Sequence, residues 1–306
     1  MLNTAGSKET ILSSLQERKL RIYNIINETI AIVEDCRMHR LGALKCAIQI
    51  FKVAILPALL VNSGTWEDIL DLKVQKELED FQSYFIRGLM AVPKSCPLPA
   101  LTYESNLLLL KYQVFSRLLN LLKHIHAQDP ESCLSKQILT EQLNNDWEGL
   151  SQAGIKICDN LEISGLFDPV VSKKQFKLLV KRACAEANDQ DLKIQIQSYK
   201  KMKALQDEIK KGNGYFFKET LYNARAIFRF RVELFEAKNN FKNRPEYKKQ
   251  GYLCDSCQSQ VDENTHVLFC PSYSSLREGK SLKNDVHLAQ YLQKVLEIRT
   301  NLRLNR

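Results

Sequence analysis

Apolar positions along this chain recur mostly every three or four residues, the spacing of helices with one buried face. From Thr10 to Met38 the stripe runs through Ile11, Leu15, Ile22, Ile25, Ile26, Ile30 and Val33. A break is expected at His39–Arg40. The next segment, Leu41 to Val61, is apolar nearly all round, which predicts a helix central to a bundle. Its most apolar run, Val53–Val61, falls far short of the roughly 20 residues a membrane span needs, so no membrane partner is expected. Asn62–Ser63–Gly64–Thr65 reads as a turn. Thr65, followed by Trp66, Glu67 and Asp68, has the character of an N-cap with acids in the first turn. The helix it opens is expected to reach Arg87 and stop at Gly88.

Pro93, Pro97 and Pro99 mark a loop and a subdomain boundary. Beyond it, helices are predicted over Leu107–His126 and Pro130–Trp147. Glu148–Val171, with Gly149, Gly154, Gly165 and Pro169, reads as loop with short helices. Ser172 is placed to cap a helix to about Ala187, Asp189–Lys211 forms another, and Gly212–Asn213–Gly214 breaks the pattern. Tyr215 to Asn239 is expected to be one basic, aromatic-rich helix. No repeat of 20–50 residues is visible, which argues against a solenoid. The class is all-α, with one small exception near the end of the chain.

Composition adds little until charge is placed along the sequence. The 306 residues are 44 % hydrophobic and 26 % charged, ordinary for a globular protein, with a net charge of +9. Between Ile194 and Gln250 there are fourteen Lys/Arg against six Asp/Glu, so nearly all the excess sits in that segment. A basic stretch of this kind suits polyanions, and equally suits a solvated helix face with no partner. No secretory signal is read at Met1–Leu20, which is polar. Of the nine cysteines, Cys36, Cys46, Cys96, Cys133, Cys158 and Cys184 stand singly, unlike a disulfide framework. That usage points to a reducing, intracellular compartment, nuclear or cytoplasmic.

The exception to the helical pattern is Cys254–Asp255–Ser256–Cys257, eight residues, His266, three residues, then Cys270. Zinc prefers four tetrahedral N/S ligands, and a C-x2-C pair supplies two thiolates from one tight turn. His266 and Cys270 would close the tetrahedron from a short helix or turn. Four protein ligands leave no open position, so such a site is structural rather than hydrolytic. It would also replace the core that so short a segment cannot build. Buried thiols clustered by chance are the plainer alternative, but Gln258, Ser259, Gln260, Asp262, Glu263 and Asn264 offer little to bury them. A redox C-x2-C pair would want a βαβ setting that the surroundings lack.

Upstream, Arg225, Arg229 and Arg231 lie among Tyr215, Phe216, Phe217, Tyr222, Phe228, Phe230 and Phe235. Cations interleaved with aromatics suit a surface that tracks a nucleic-acid backbone and stacks on bases. Leu221, Phe228 and Phe235 at helical spacing also read simply as core. The expected division puts Leu221, Ile227, Phe228 and Leu234 inward and Arg225, Arg229, Lys238 and Lys242 outward. The candidate contacts to RNA or DNA are therefore Arg225, Arg229, Arg231, Lys238 and Lys242.

Nothing else carries chemistry. His124 and His126 are explained by their place at a helix end. Glu34 and Asp35 are neighbours that do not face each other, and Asp35 with His39 is a single i,i+4 pair. The chain has no Gly-rich phosphate loop, no nucleophile elbow and no H-E-x-x-H. No enzyme activity is expected.

Several of these segments together resemble the region following the palm in reverse transcriptases of non-LTR retrotransposons. Gly6–Ser7 with Arg18, Lys19 and Ile22 is similar to the segment leaving the palm. Gly42, then Ile55–Leu56–Pro57–Ala58–Leu59–Leu60 and Asn62–Ser63–Gly64–Thr65–Trp66, resembles the thumb-like helical stretch. Pro97 to Glu104 resembles a Pro-x-x-Ala-Leu-x-x-Glu segment. Ala224–Arg225, Phe228–Arg229–Phe230–Arg231 and Asn239–Asn240–Phe241–Lys242 are similar to the basic stretch before the family's terminal knuckle. Cys254, Cys257, His266, Cys270, Pro271 and Arg277 resemble the knuckle itself. The likeness implies a thumb-like bundle over residues 1–92, a second helical subdomain over 93–190, and a basic linker over 191–250. A zinc knuckle over 251–280 and a C-terminal helix over 281–306 complete the division. It implies contact with element RNA or target DNA, and association with a full-length retroelement polymerase. The family polymerises through a Tyr-x-Asp-Asp strand holding two metal ions, and this sequence has no Asp–Asp dipeptide. The expected function is a non-catalytic, zinc-stabilised nucleic-acid-binding fragment. The alternatives are a helical interaction protein, or an inert remnant with apolar surface exposed along Leu41–Val61.

Overall fold

The computed structural model describes residues 7–37, 41–145, 147–199, 214–241, 243–245, 251–282 and 285–304. It is all-α. The only β pairings among the described residues are isolated bridges between Leu41 and Thr220 and between Leu253 and Val261. The longer helices are α1 (Lys8–Arg37), α2 (Ala43–Ile50), α3 (Leu56–Leu59), α4 (Leu72–Met90), α5 (Leu98–Ser105), α6 (Leu110–His126), α7 (Leu134–Asn144), α8 (Leu150–Asn160) and α9 (Lys173–Ser198). After them come α10 (Gly214–Lys218), α11 (Leu221–Arg231), α12 (Asn264–Phe269), α13 (Ser274–Arg277) and α14 (Asp285–Leu304). No described helix is long and apolar enough to cross a membrane.

Compactness divides the chain into two units built from interleaved stretches. The first takes Met1–Thr29, Gln49–Ile86 and Asn106–Ile194; the second takes Ile30–Ile48, Arg87–Ser105 and Gln195–Arg306.

In the first unit, Ile11, Leu15, Ile22 and Ile26 of α1 are buried, as are Val74, Leu78, Phe81 and Phe85 of α4. Phe51 stacks on Phe85 with ring centroids 4.6 Å apart. α6 packs on α7 and α8. Gly154 makes the α8 approach possible, since a Cβ there would come within 2.3 Å of Leu122 Cδ1.

The second unit holds the functional candidates. α5 is buried from Pro99 to Ser105, and α11 packs against α14. A core shared by Ala226, Phe235, Cys254, Val267, Cys270, Tyr273, Tyr291, Leu292 and Val295 joins the cysteine segment to both of those helices.

Several local expectations are corrected. Leu41–Val61 is one-sided: Leu44, Ala47, Ile48, Phe51, Ile55 and Leu59 are buried, while Lys45, Lys52, Val53 and Ala54 are exposed. Its middle, Phe51–Ile55, is π-helical, with the Leu56 N–H bonded to Phe51 O. Pro57 supplies the reason, because it lacks an N–H and its ring crowds the carbonyl four residues back. Thr65 does not cap a helix. Trp66 is extended, and Asp71 Oδ1 instead accepts from the N–H groups of Lys73 (2.8 Å) and Val74 (3.4 Å). Gly88 does not stop α4. It sits inside the helix because a Cβ there would lie 2.5 Å from Ile30 Cδ1, and the end comes at Ala91, whose φ is +50°.

α9 runs through Asn188 without the expected break. The buried Asn188 side chain accepts from the Leu109 N–H at 2.9 Å, capping α6 rather than its own helix. The expected helix over Tyr215–Asn239 is two. Thr220 Oγ1 accepts from the Asn223 N–H at 3.2 Å to start α11, which ends just before Glu233 at φ +54°. The expected breaks at His39–Arg40 and Gly212–Asn213, and the whole of the basic run 200–213, lie outside the described residues.

Candidate metal centre and arginine helix

The cysteine segment begins as a tight turn. The Gln258 N–H bonds to Cys254 O at 2.9 Å, with Gln258 at φ +54°. The Cys254 N–H then bonds to Gln260 O at 2.9 Å. This places the Cys254 and Cys257 thiols on one side of the turn. His266 comes from the short helix α12, and Cys270 follows at its end. The four potential ligand atoms all lie within 4.8 Å of one another. Cys254 Sγ and Cys270 Sγ are 3.9 Å apart, and Cys257 Sγ and His266 Nε2 are 3.3 Å apart. Zinc bonded at ~2.3 Å to sulfur and ~2.0 Å to nitrogen in a tetrahedron requires separations of roughly 3.5–3.8 Å. The residues present therefore fit a metal ion.

The surrounding groups suit that fit. His266 Nδ1 lies 2.7 Å from Gln260 Oε1, so its proton is held there and the Nε2 lone pair is directed at the thiols. Burial works against ionising Cys257, but the Ser259 hydroxyl and the backbone N–H groups of Ser259 and Gln260 bring its pKa down to about 6. Burial pushes Cys270 up to about 11. Four protein ligands close the coordination sphere, so the chemistry on offer is structural cross-linking.

Two ion pairs that sequence reasoning missed clamp this segment in place. Lys238 Nζ meets Asp255 Oδ1 at 2.8 Å, with both side chains at most 10 % exposed. Arg299 of α14 meets Asp262 at 2.6 and 3.1 Å, and its Nε donates to Tyr273 Oη at 3.1 Å. Asp262 also accepts from the Lys238 N–H at 2.9 Å. The available signal was the pair of acids, Asp255 and Asp262, inside the polar knuckle.

The arginines of α11 are not outward. Arg225 is 8 % exposed. It donates through Nε and Nη2 to Leu89 O (2.9 and 2.7 Å) and through Nη2 to Glu34 Oε1 (2.7 Å). Arg229 Nη2 donates to Ala91 O at 2.6 Å. Those carbonyls belong to the end of α4, where a helix leaves its last C=O groups without partners and a cation is favoured. Arg231 pairs at 3.1 Å with Glu104, which is fully buried, and lies over the Tyr215 ring. Lys238 is 4 % exposed. The expectation that Arg225 and Lys238 face solvent is corrected, since the end of α4 and Asp255 claim them, while Arg229 is half-buried. Lys242 lies outside the described residues. Leu221, Ile227 and Phe228 are buried as expected, and Leu234 is half-buried.

Arg225 and Arg229 nonetheless line a cleft of about 540 Å³ in the second unit, together with Arg244, Arg303, Glu236 and Phe241. Burial first, and then the neighbouring Arg225 charge, hold the Arg229 pKa below the usual guanidinium value. Compared with protein-family models, with curated proteins and with solved structures, the chain has no match.

Proposed function

We propose that this chain is a non-catalytic, zinc-stapled module that binds nucleic acid, corresponding to the C-terminal part of a non-LTR retrotransposon reverse transcriptase. The observation that carries the reading is the convergence of Cys254, Cys257, His266 and Cys270, whose ligand atoms lie within 4.8 Å of one another. Zinc held there would order a segment whose core is shared with α11 and α14, making metal binding and local folding one event. Phe269, next to Cys270, is 70 % exposed and offers a flat face on which a base can stack.

A second reading, a protein-interaction module, draws on the apolar surface of the same knuckle, where Leu253 is 45 % and Val261 47 % exposed. Salt dependence separates the two. The full chain, loaded with zinc, is titrated with single-stranded RNA and with duplex DNA across a salt series. Binding that falls linearly in log–log salt and vanishes on chelation supports the nucleic-acid reading. No binding at low salt with one zinc bound would replace it with the interaction reading.

A further inference from the structure

The cleft in the second unit gathers four arginines (Arg225, Arg229, Arg244 and Arg303), with Glu236 the carboxylate in its lining and Glu34 paired with Arg225 at 2.7 Å, so the cations outnumber the acids by two. Guanidinium groups repel one another, and Arg225 and Arg229 lie one helical turn apart with no acid between them on that face. Arg303 answers Glu236 at 2.8 Å near the rim. Arg244 is exposed and its guanidinium carbon lies over the Phe241 ring, 4.2 Å from the centroid. The side chain of Tyr222 also reaches the cleft and is 41 % exposed. Backbone carbonyls and Glu34 take some of the N–H groups of Arg225 and Arg229 and fix how the guanidiniums are held. What results is a preorganised, positively charged recess with a stacking platform at one side.

Resting on the nucleic-acid reading above, we propose that this cleft is the binding site for a single-stranded phosphodiester segment. A phosphate sits against Arg229 and Arg225, and a neighbouring base stacks on the Phe241–Arg244 pair. The volume of about 540 Å³ falls within the ~300–1,000 Å³ typical of ligand sites. A duplex presents its phosphates on a convex cylinder, which a recess of this size does not seat. Bases with a free face stack on aromatic rings and guanidinium planes, and only an unpaired strand supplies them. Glu236 opposes the ligand electrostatically and sets a modest ceiling on affinity.

The test uses the full, zinc-loaded chain and a labelled short oligouridylate RNA, with Arg229→Gln, Arg244→Gln and Glu236→Gln compared by fluorescence anisotropy. Each arginine variant is expected to weaken binding about tenfold and to reduce the log–log salt slope by about 0.7, the value of one single-strand phosphate contact. Glu236→Gln is expected to tighten binding about threefold by removing the opposing charge, a gain that misfolding cannot imitate. Photo-crosslinking with a 4-thiouridine RNA should map to Tyr222 or Phe241. If the wild-type chain binds RNA in a zinc-dependent way, the cleft is overturned by unchanged affinity in Arg244→Gln and Glu236→Gln with crosslinks elsewhere. In that case the broader function survives. Binding confined to duplex DNA overturns the cleft in the same way. Failure of the zinc-loaded wild-type chain to bind any nucleic acid overturns the function and the cleft together.

Discussion

In its first ten residues α9 carries Lys173, Lys174, Lys177, Lys181 and Arg182, every one exposed, beside Leu178 and Leu179 at 61 % and 41 % exposure. Arg182 pairs with Glu186 across a solvated surface, the side chains 80 % and 58 % exposed. α11 carries Arg225, Arg229 and Arg231 over a similar length, and its cations close the end of α4, meet Glu34, and hold the buried Glu104. Local charge density therefore measures neither exposure nor availability. What decides is whether uncapped carbonyls and acids lie within reach. α9 keeps a diffuse positive surface facing water, while α11 converts most of its charge into packing and leaves the remainder aimed into one cleft.

The largest effect that would break this contrast is loss of the core behind α11. Structural zinc contributes apparent free energies of about 10–16 kcal/mol in small modules. Chelation, or Cys254→Ser, should therefore abolish stoichiometric zinc and open residues 251–282 to protease. Zinc retained after Cys254→Ser would show that the ligand set is wrong.

Next comes Arg231→Met, which takes the cation away from the fully buried Glu104 carboxylate. Breaking such a pair costs about 3–5 kcal/mol, read as a lower denaturant midpoint. Adding Glu104→Gln should recover most of the loss; no recovery would mean the arginine acts through packing alone. Arg225→Gln removes charged hydrogen bonds to Leu89 O and Glu34 and should cost about 1.5–3 kcal/mol.

The smallest structural effect is expected on α9. Lys174→Gln, Lys177→Gln and Lys181→Gln together should leave the melting temperature unchanged. They should weaken RNA and duplex DNA binding to a similar, small degree through the lost long-range field. A selective loss of single-strand binding there would move the site from the cleft to α9.

How far the sequence reveals this molecule depends on the range of each interaction. Helices over Thr10–Met38 and Leu107–His126 were legible because their apolar spacing is a local property. The Cys254, Cys257, His266 and Cys270 cluster was legible because coordination geometry constrains spacing within seventeen residues. Asn188 was misread as a break, since its partner is the Leu109 N–H, 79 residues away. Thr65 was misread as a cap because Asp71 competes for the same role a few residues on. Arg225 and Arg229 were placed facing water because nothing near them in sequence announces the carbonyls at the end of α4. The knuckle acids Asp255 and Asp262 failed for the same reason, their cations coming from Lys238 and Arg299.

The interleaving of the second unit sets an order of assembly. Glu34 and Arg225 are 191 residues apart in sequence. At a synthesis rate of ~5–20 residues per second, roughly 10–40 s pass between the emergence of the two. Throughout that interval residues 30–48, joined partway through by 87–105, are unclosed parts of their unit, with loop-closure entropy still to be overcome. Ile30–Ile48 and Arg87–Ser105 can reach their final packing only after α11 has left the ribosome. The Cys254–Cys270 segment comes later still, so ordering of it by a metal ion would follow these steps and secure a unit whose earlier pieces have waited.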